Sequence, residues 1–314
     1  MPYNENTNKI KQNMNILNLP SLDKAVLNSL DYFIKKYPPT IKTRISFPVI
    51  IGSGNAYNAG QVMFGGQPAL FANESNFRAL AQNLKPLIKK GSITQAIIIS
   101  ASGEKDSVWE IELAKKMNLK TTLLTCNGLS SAAAIAEKVI VFDKLPEPYT
   151  YNTSTYLGMI IGASQEDPKK IKSFLKKLNF PKSFENYSAY SFIIPDEFAA
   201  VAPMIEIKKH ELFGPHLSIR AFSYGEARHA KFINEWDKEL VISLGENKFF
   251  GAPDSRWKIS LPGDTASGLI MALTYYIVGQ IQLAKKPYFK KNIANYCKKG
   301  PLAYGQKEPF KVIV

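Results

Sequence analysis

Cysteine, histidine and arginine are scarce in this 314-residue chain. Two cysteines, Cys126 and Cys297, cannot build a disulfide framework or a structural zinc site, and they suit a reducing cytosol. Of the three histidines (His210, His216, His229), the first two stand six apart with Glu211 between, which is no metal-ligand spacing, so no metal site is expected. Only five of the 40 basic residues are arginine (Arg44, Arg78, Arg220, Arg228, Arg256). Nucleic-acid readers lean on arginine for bidentate contacts to guanine and phosphate. The net charge of +14 therefore reads as lysine-rich solvated helix faces, such as DPKKIKSFLKKL, and not as a nucleic-acid surface. A basic surface still concentrates small anions. The first residues, MPYNENTNKIKQNMNIL, contain no apolar run of the kind a secretory signal needs. The uncharged run 265–284, TASGLIMALTYYIVGQIQLA, is long enough to span a bilayer. It carries Ser267, Thr274, Gln280 and Gln282, and Leu269, Leu273, Tyr276 and Ile277 recur at helical spacing. It reads as a buried core helix, and no membrane partner is expected.

Hydrophobic residues make up 45% of the chain and charged residues 21%, which excludes disorder and suffices for one large core or two ordinary ones. Residues 1–20 read as a polar arm. Residues 21–36 read as an amphipathic helix with Ser21 as N-cap, stopped by Tyr37-Pro38-Pro39. An alternation follows. FPVIIGSG, QPALFANES, QAIIISASG, KTTLLTCNG and VIVFD (139–143) read as strands. AYNAGQVMF, FRALAQNLKPLI, DSVWEIELAKKMN and SSAAAIAEK read as the helices between them. This is the pattern of a doubly wound parallel sheet, which binds ligands beyond the carboxyl ends of its strands. Helices over 153–180 lead to a less regular half. There YSFIIPD, LSIRAFSYG, ELVISLGE and WKISLP are strand-like and EFAAVAPMIEIKKHELF is helical in composition. That half reads as a second, looser copy of the sheet, without a strict sequence repeat.

Two loops carry candidate chemistry. Ser100-Ala101-Ser102-Gly103-Glu104-Lys105-Asp106-Ser107 lies between a strand and a helix. Ser100, Ser102, the Gly103 and Glu104 amides and Lys105 can cradle a phosphate at a helix N-terminus. The alternative is a plain helix cap formed by Asp106 or Ser107. The second loop, Gly52-Ser53-Gly54-Asn55-Ala56-Tyr57, lets a ligand approach the backbone. Tyr57 stands where a dinucleotide fingerprint needs its third glycine, so a nicotinamide or flavin dinucleotide is not expected.

Together, GSGNAYNAG, SASGEKDS, TCNGLSSAAAIAEKVIVF and PEPYTYNTSTY, in this order over residues 45–165, resemble the sugar isomerase (SIS) domain family of phosphosugar-binding proteins. The resemblance implies an α/β fold of two tandem SIS domains, each a five-stranded parallel sheet flanked by helices (flavodoxin-like), the second copy degenerate. Residues 1–44 would form an N-terminal arm and helix, 45–180 the phosphosugar-binding domain, and 181–314 the second domain with a C-terminal tail. It implies that Ser53, Gly54, Asn55, Ser100, Ser102, Gly103 and Lys105 hold the phosphate, with Lys105 standing where the family usually has a threonine. Ser154 in Ser154-Thr155-Tyr156 is implied as a sugar contact, with Tyr156 in place of the family's lysine and Ala56 in place of a first-loop serine.

In the second half, APMIEIKKHELFG (202–214) resembles the family's helix carrying a glutamate and K-x-x-E. SYGEARHAKFI (223–233) resembles its E-x-x-H-G loop, with Ala230 for the glycine. The resemblance implies Glu206 or Glu211 as the base that moves a proton between C1 and C2, with Glu226 and His229 as partners. On their own these are also ordinary helix-face residues. Ser243-Leu244-Gly245-Glu246-Asn247 offers no second phosphate loop. The expectation is a cofactor-free cytoplasmic homodimer acting on a hexose or aminohexose phosphate as an isomerase or deaminase. The rival reading is a non-catalytic sugar-phosphate sensor.

Overall fold

Short runs of isoleucine, valine and leucine, each closed by glycine or a small polar residue, build the strands. The computed structural model describes residues 19–42, 46–232, 235–285 and 288–314. The expected polar arm lies outside the described residues as far as residue 18. The first half runs α1 (Leu22–Lys35), β1 (Val49–Gly52), α2 (Asn55–Phe64), β2 (Leu70–Ala72), α3 (Phe77–Lys89), β3 (Gln95–Ile99), α4 (Asp106–Lys116), β4 (Lys120–Thr125), α5 (Ser131–Ile135), β5 (Lys138–Val141), α6 (Thr153–Ser164) and α7 (Pro168–Lys176). Its five strands are parallel in the order β2-β1-β3-β4-β5. Strand order reverses between β1 and β3, so the loops after these two strands, 53–55 and 100–105, flank one crevice.

The second half runs β6 (Ala189–Ile194), α8 (Ala202–Phe213), β7 (Ser218–Ser223), α9 (Tyr224–His229), β8 (Glu239–Leu244), β9 (Arg256–Ile259), α10 (Ser267–Ala284) and α11 (Tyr288–Lys299). Its parallel sheet, β7-β6-β8-β9, repeats the first order but has four strands, not the expected five. No α-helix connects β8 to β9. Pro203 sits in the first turn of α8, where its missing N–H costs nothing.

The two halves share one apolar core. The uncharged run forms α10, buried against α1, α6, α7 and α8. Glu166 closes its N-terminus: the carboxylate accepts from Ala266 N (3.0 Å), Gly268 N (2.6 Å) and Leu269 N (3.1 Å). Ser21 precedes α1 as expected, but its hydroxyl makes no cap bond, and Leu22 N donates instead to Gln282 Oε1 of α10 at 2.9 Å.

Candidate functional site

The crevice between β1 and β3 is built by two loops of matching shape. Gly54 (φ 55°, ψ −123°) caps α2, and Lys105 (φ 59°, ψ −121°) caps α4 in nearly the same conformation. Glycine adopts that region freely, whereas lysine adopts it under strain. At the first loop, Ser53 Oγ and Asn55 Oδ1 are shielded from solvent and have no partner among the described residues. Unsatisfied buried polar atoms are uncommon and call for a ligand or water.

The serine loop is held from inside. Ser100 Oγ accepts from Gly103 N (3.1 Å) and Ser102 Oγ from Glu104 N (3.3 Å). Ser107 Oγ donates to the Glu104 carbonyl at 2.9 Å, so Ser107 ties the loop and does not cap α4 through its hydroxyl. Glu104 Oε1 accepts from Ser131 N (3.0 Å), and the Gly103 carbonyl accepts from Ala132 N (3.0 Å), fastening the loop to the start of α5. The Ser100 and Ser102 hydroxyls, which accept in these bonds, each retain a proton to donate. Ser102 and Lys105 face solvent.

Ser154 differs from its expected role as a sugar contact. It is fully buried, donating to Glu147 Oε1 (2.8 Å) and accepting from Leu145 N (3.0 Å). Glu147 also takes the Thr153 and Ser154 amides, so a buried carboxylate fills the N-terminus of α6. Burial pushes its pKa up, against the pull of Ser154, Lys144 and these amides.

The candidate carboxylates of the second half are engaged in three separate ways. Glu206 Oε1 accepts from Ala221 N at 3.0 Å, tying α8 to β7. Glu226 forms a capping box with Ser223 at the start of α9 (2.8 and 3.2 Å), and both Glu226 and His229 are exposed. Glu211 pairs with Lys208, one helical turn earlier, and the same ammonium donates to the Thr150 carbonyl of the first half. Lys208 is wholly buried and the Glu211 side chain is 17% exposed. Burial raises the Glu211 pKa, and Lys208 lowers it in part. Sequence reasoning passed over Lys208; its signal was the K-x-x-E spacing Lys208-Lys209-His210-Glu211.

Glu211 and His210 open onto a cleft of about 340 Å³ between α8 and α11, bounded beyond by Lys299 and Gly300. Phe310 lies against Gly300, stacks on Tyr149 (4.5 Å) and sits 5.1 Å below the Lys105 ammonium. Residues 310–314 run antiparallel to 147–149, with Tyr149 N donating to the Val312 carbonyl at 2.8 Å. The chain from Phe310 onward thus links the serine loop to the wall of the Glu211 cleft. Cys126 contacts Thr155 Oγ1 (3.6 Å) and desolvation pushes its thiol up to about 11, which suits a structural thiol. After β8, where no second phosphate loop is expected, the Asn247 side chain accepts from Phe249 N and Phe250 N, using donors an anion would need.

No protein-family model matches the chain, and no curated protein matches its sequence. Solved structures match it closely in shape. Glucosamine-6-phosphate deaminase from Thermotoga maritima has a TM-score of 0.56 at 14% identity, over 84% of this chain and 93% of that one. The C-terminal domain of glucosamine-fructose-6-phosphate aminotransferase from Francisella tularensis has a TM-score of 0.55 at 13% identity, over 84% and 93%. Tagatose-6-phosphate ketose/aldose isomerase from Escherichia coli has a TM-score of 0.52 at 13% identity, over 85% and 89%. At these identities the likeness is one of fold, and the fold is that of the phosphosugar isomerases and deaminases built from SIS domains.

Proposed function

We propose that this protein binds a hexose or aminohexose 6-phosphate in the crevice between β1 and β3 and isomerises or deaminates it by proton transfer. The observation that carries the reading is the Glu211–Lys208 pair: a largely buried carboxylate that opens into a cleft whose wall, through Phe310, adjoins the serine loop. Ser100, Ser102, Gly103 and Lys105 take the phosphate, and Ser53, Gly54 and Asn55 take adjoining oxygens. Phosphate binding far from the reacting carbons positions C1 and C2. Glu211 removes the proton from C2 of the aldose and delivers it to C1. The hydroxyl proton moves to the adjacent oxygen, so the isomerisation is balanced without a cofactor; with an aminohexose the same shift leaves an imine at C2, which water hydrolyses to the ketose, releasing ammonia. A base with a raised pKa is matched to this task. Lys208 keeps Glu211 ionised when it is needed. Among the candidate glutamates, Glu211 is preferred because the other two carboxylates hold backbone amides.

Glu226 and His229, exposed on α9, serve ring opening across a homodimer, each subunit completing its partner's site. The protein works in the cytoplasm. The test is Glu211→Gln, assayed with fructose 6-phosphate and glucosamine 6-phosphate alongside thermal shift with the same ligands. An enzyme of this kind loses turnover and keeps ligand stabilisation. Stabilisation without turnover in the unmodified protein would make it a sensor, and no stabilisation by either sugar would remove the crevice reading.

A further inference from the structure

Behind the Glu211 cleft lies a set of buried hydroxyls that the fold leaves unused. Tyr275, on α10, is fully buried, and its phenol oxygen has no partner among the described residues. Thr150 is equally buried: its carbonyl accepts from Lys208, while its own Oγ1 has no partner among the described residues. The Lys208 ammonium lies 5.8 Å from the centre of the Tyr275 ring. Glu211 is the charge that acts most strongly on the Tyr275 phenol. A buried phenol without an acceptor is costly, so a fold that keeps one beside an ion pair has a use for it.

We propose that Tyr275 is a positioning residue for Glu211: its O–H donates, across one water shared with Thr150 Oγ1, to the Glu211 carboxylate. A phenol can do this because Lys208 satisfies only part of the carboxylate, which has several acceptor sites. A donor on the charged form favours that form. The charged and titratable groups around Glu211 are Lys208 and His210 on its own helix, Tyr156 on α6, Tyr275 on α10, and Tyr288, Tyr296 and Lys299 on α11, and Glu147, before α6, acts on the Tyr275 phenol. Lys208 already holds the carboxylate from one side. Tyr275 comes from a helix of the shared core, so the base takes its orientation from the packing that joins the two halves. The catalytic consequence rests on the reading of Glu211 as the base; the ionisation of Glu211 does not.

The experiment is a carbon-13 NMR titration of protein labelled at the glutamate carboxyls, in unmodified protein and in Tyr275→Phe, with Glu211→Gln identifying the Glu211 signal. The Glu211 midpoint is expected to rise by about one pH unit in Tyr275→Phe, so that below the midpoint its ionised fraction falls about tenfold. Thr150→Val is expected to move it less, in the same direction. Should Tyr275→Phe fail to fold, 3-fluorotyrosine at position 275, a stronger donor, is expected to move the midpoint down. An unchanged midpoint in Tyr275→Phe, or in the fluorinated protein, overturns the assignment. In parallel, the acid limb of kcat/KM for fructose 6-phosphate is expected to follow the midpoint, with KM unchanged. Full turnover in Glu211→Gln would remove the base reading alone, leaving the titration to decide the role of Tyr275.

Discussion

Lys105 occupies a backbone conformation that its counterpart across the crevice, Gly54, adopts without cost. The two residues have φ/ψ of 59°/−121° and 55°/−123°, each at the N-cap of a helix leaving the first sheet. For a residue with a Cβ such a conformation costs about 1–3 kcal/mol. Lys105→Gly and Lys105→Ala both remove the ammonium, and with it a cation–π contact 5.1 Å above Phe310. That contact is worth about 0.5–1 kcal/mol at an exposed site and cancels in the comparison. Only glycine relieves the backbone. At an ordinary position alanine is the more stable of the two by about 0.5–1 kcal/mol, because glycine has more freedom to lose on folding. Set against the strain, this leaves Lys105→Gly more stable than Lys105→Ala by about 1 kcal/mol. Urea unfolding followed by circular dichroism, with equal m-values required, reads the difference. Both variants are expected to lose affinity for fructose 6-phosphate, since the point charge proposed to hold the phosphate is gone. Lys105→Ala as stable as Lys105→Gly, or more so, would refute the strain argument.

Burial, with Asp106 and Glu74 nearby, pushes the Glu110 carboxyl up to about 8. The folded chain therefore keeps a proton there from about pH 4.5 to about 8 that the unfolded chain has lost, and stability falls as pH rises through that window. The slope is at most about 1.4 kcal/mol per pH unit, and Glu110→Gln flattens it; a Tm-against-pH series from 5 to 8 on both proteins checks this. Glu166→Ala strips the acceptor from three amides at the start of α10 and is expected to cost about 1–3 kcal/mol, read by urea unfolding. Gly103→Ala places a Cβ 2.0 Å from Ser130 Oγ at φ +66°, so the serine loop must open. A loss above about 2 kcal/mol, together with loss of thermal stabilisation by fructose 6-phosphate, is expected.

The first sheet was legible because parallel strands are local events. Each is a short, largely apolar run, and the chain alternates strand and helix. The phosphate-loop candidates followed from their places after β1 and β3, and α10 from its helical periodicity. The four strands of the second sheet match its four strand-like segments, and the expected fifth came from the resemblance alone; that no helix would form between β8 and β9 was not legible. Nor was the division of labour among the glutamates. Glu206, Glu211 and Glu226 share a residue type and a helical setting, yet one ties α8 to β7, one pairs with a buried lysine, and one caps a helix. Ser154 looked equally available in the sequence and is enclosed by Glu147. Sequence by itself determined the elements and the order of the loops, since propensity and periodicity act over a few neighbouring residues. Tertiary structure alone decided which polar groups are spent on the fold and which stay open. That depends on burial and on partners as far apart as Thr150 and Lys208, which meet only when the two halves close on one core.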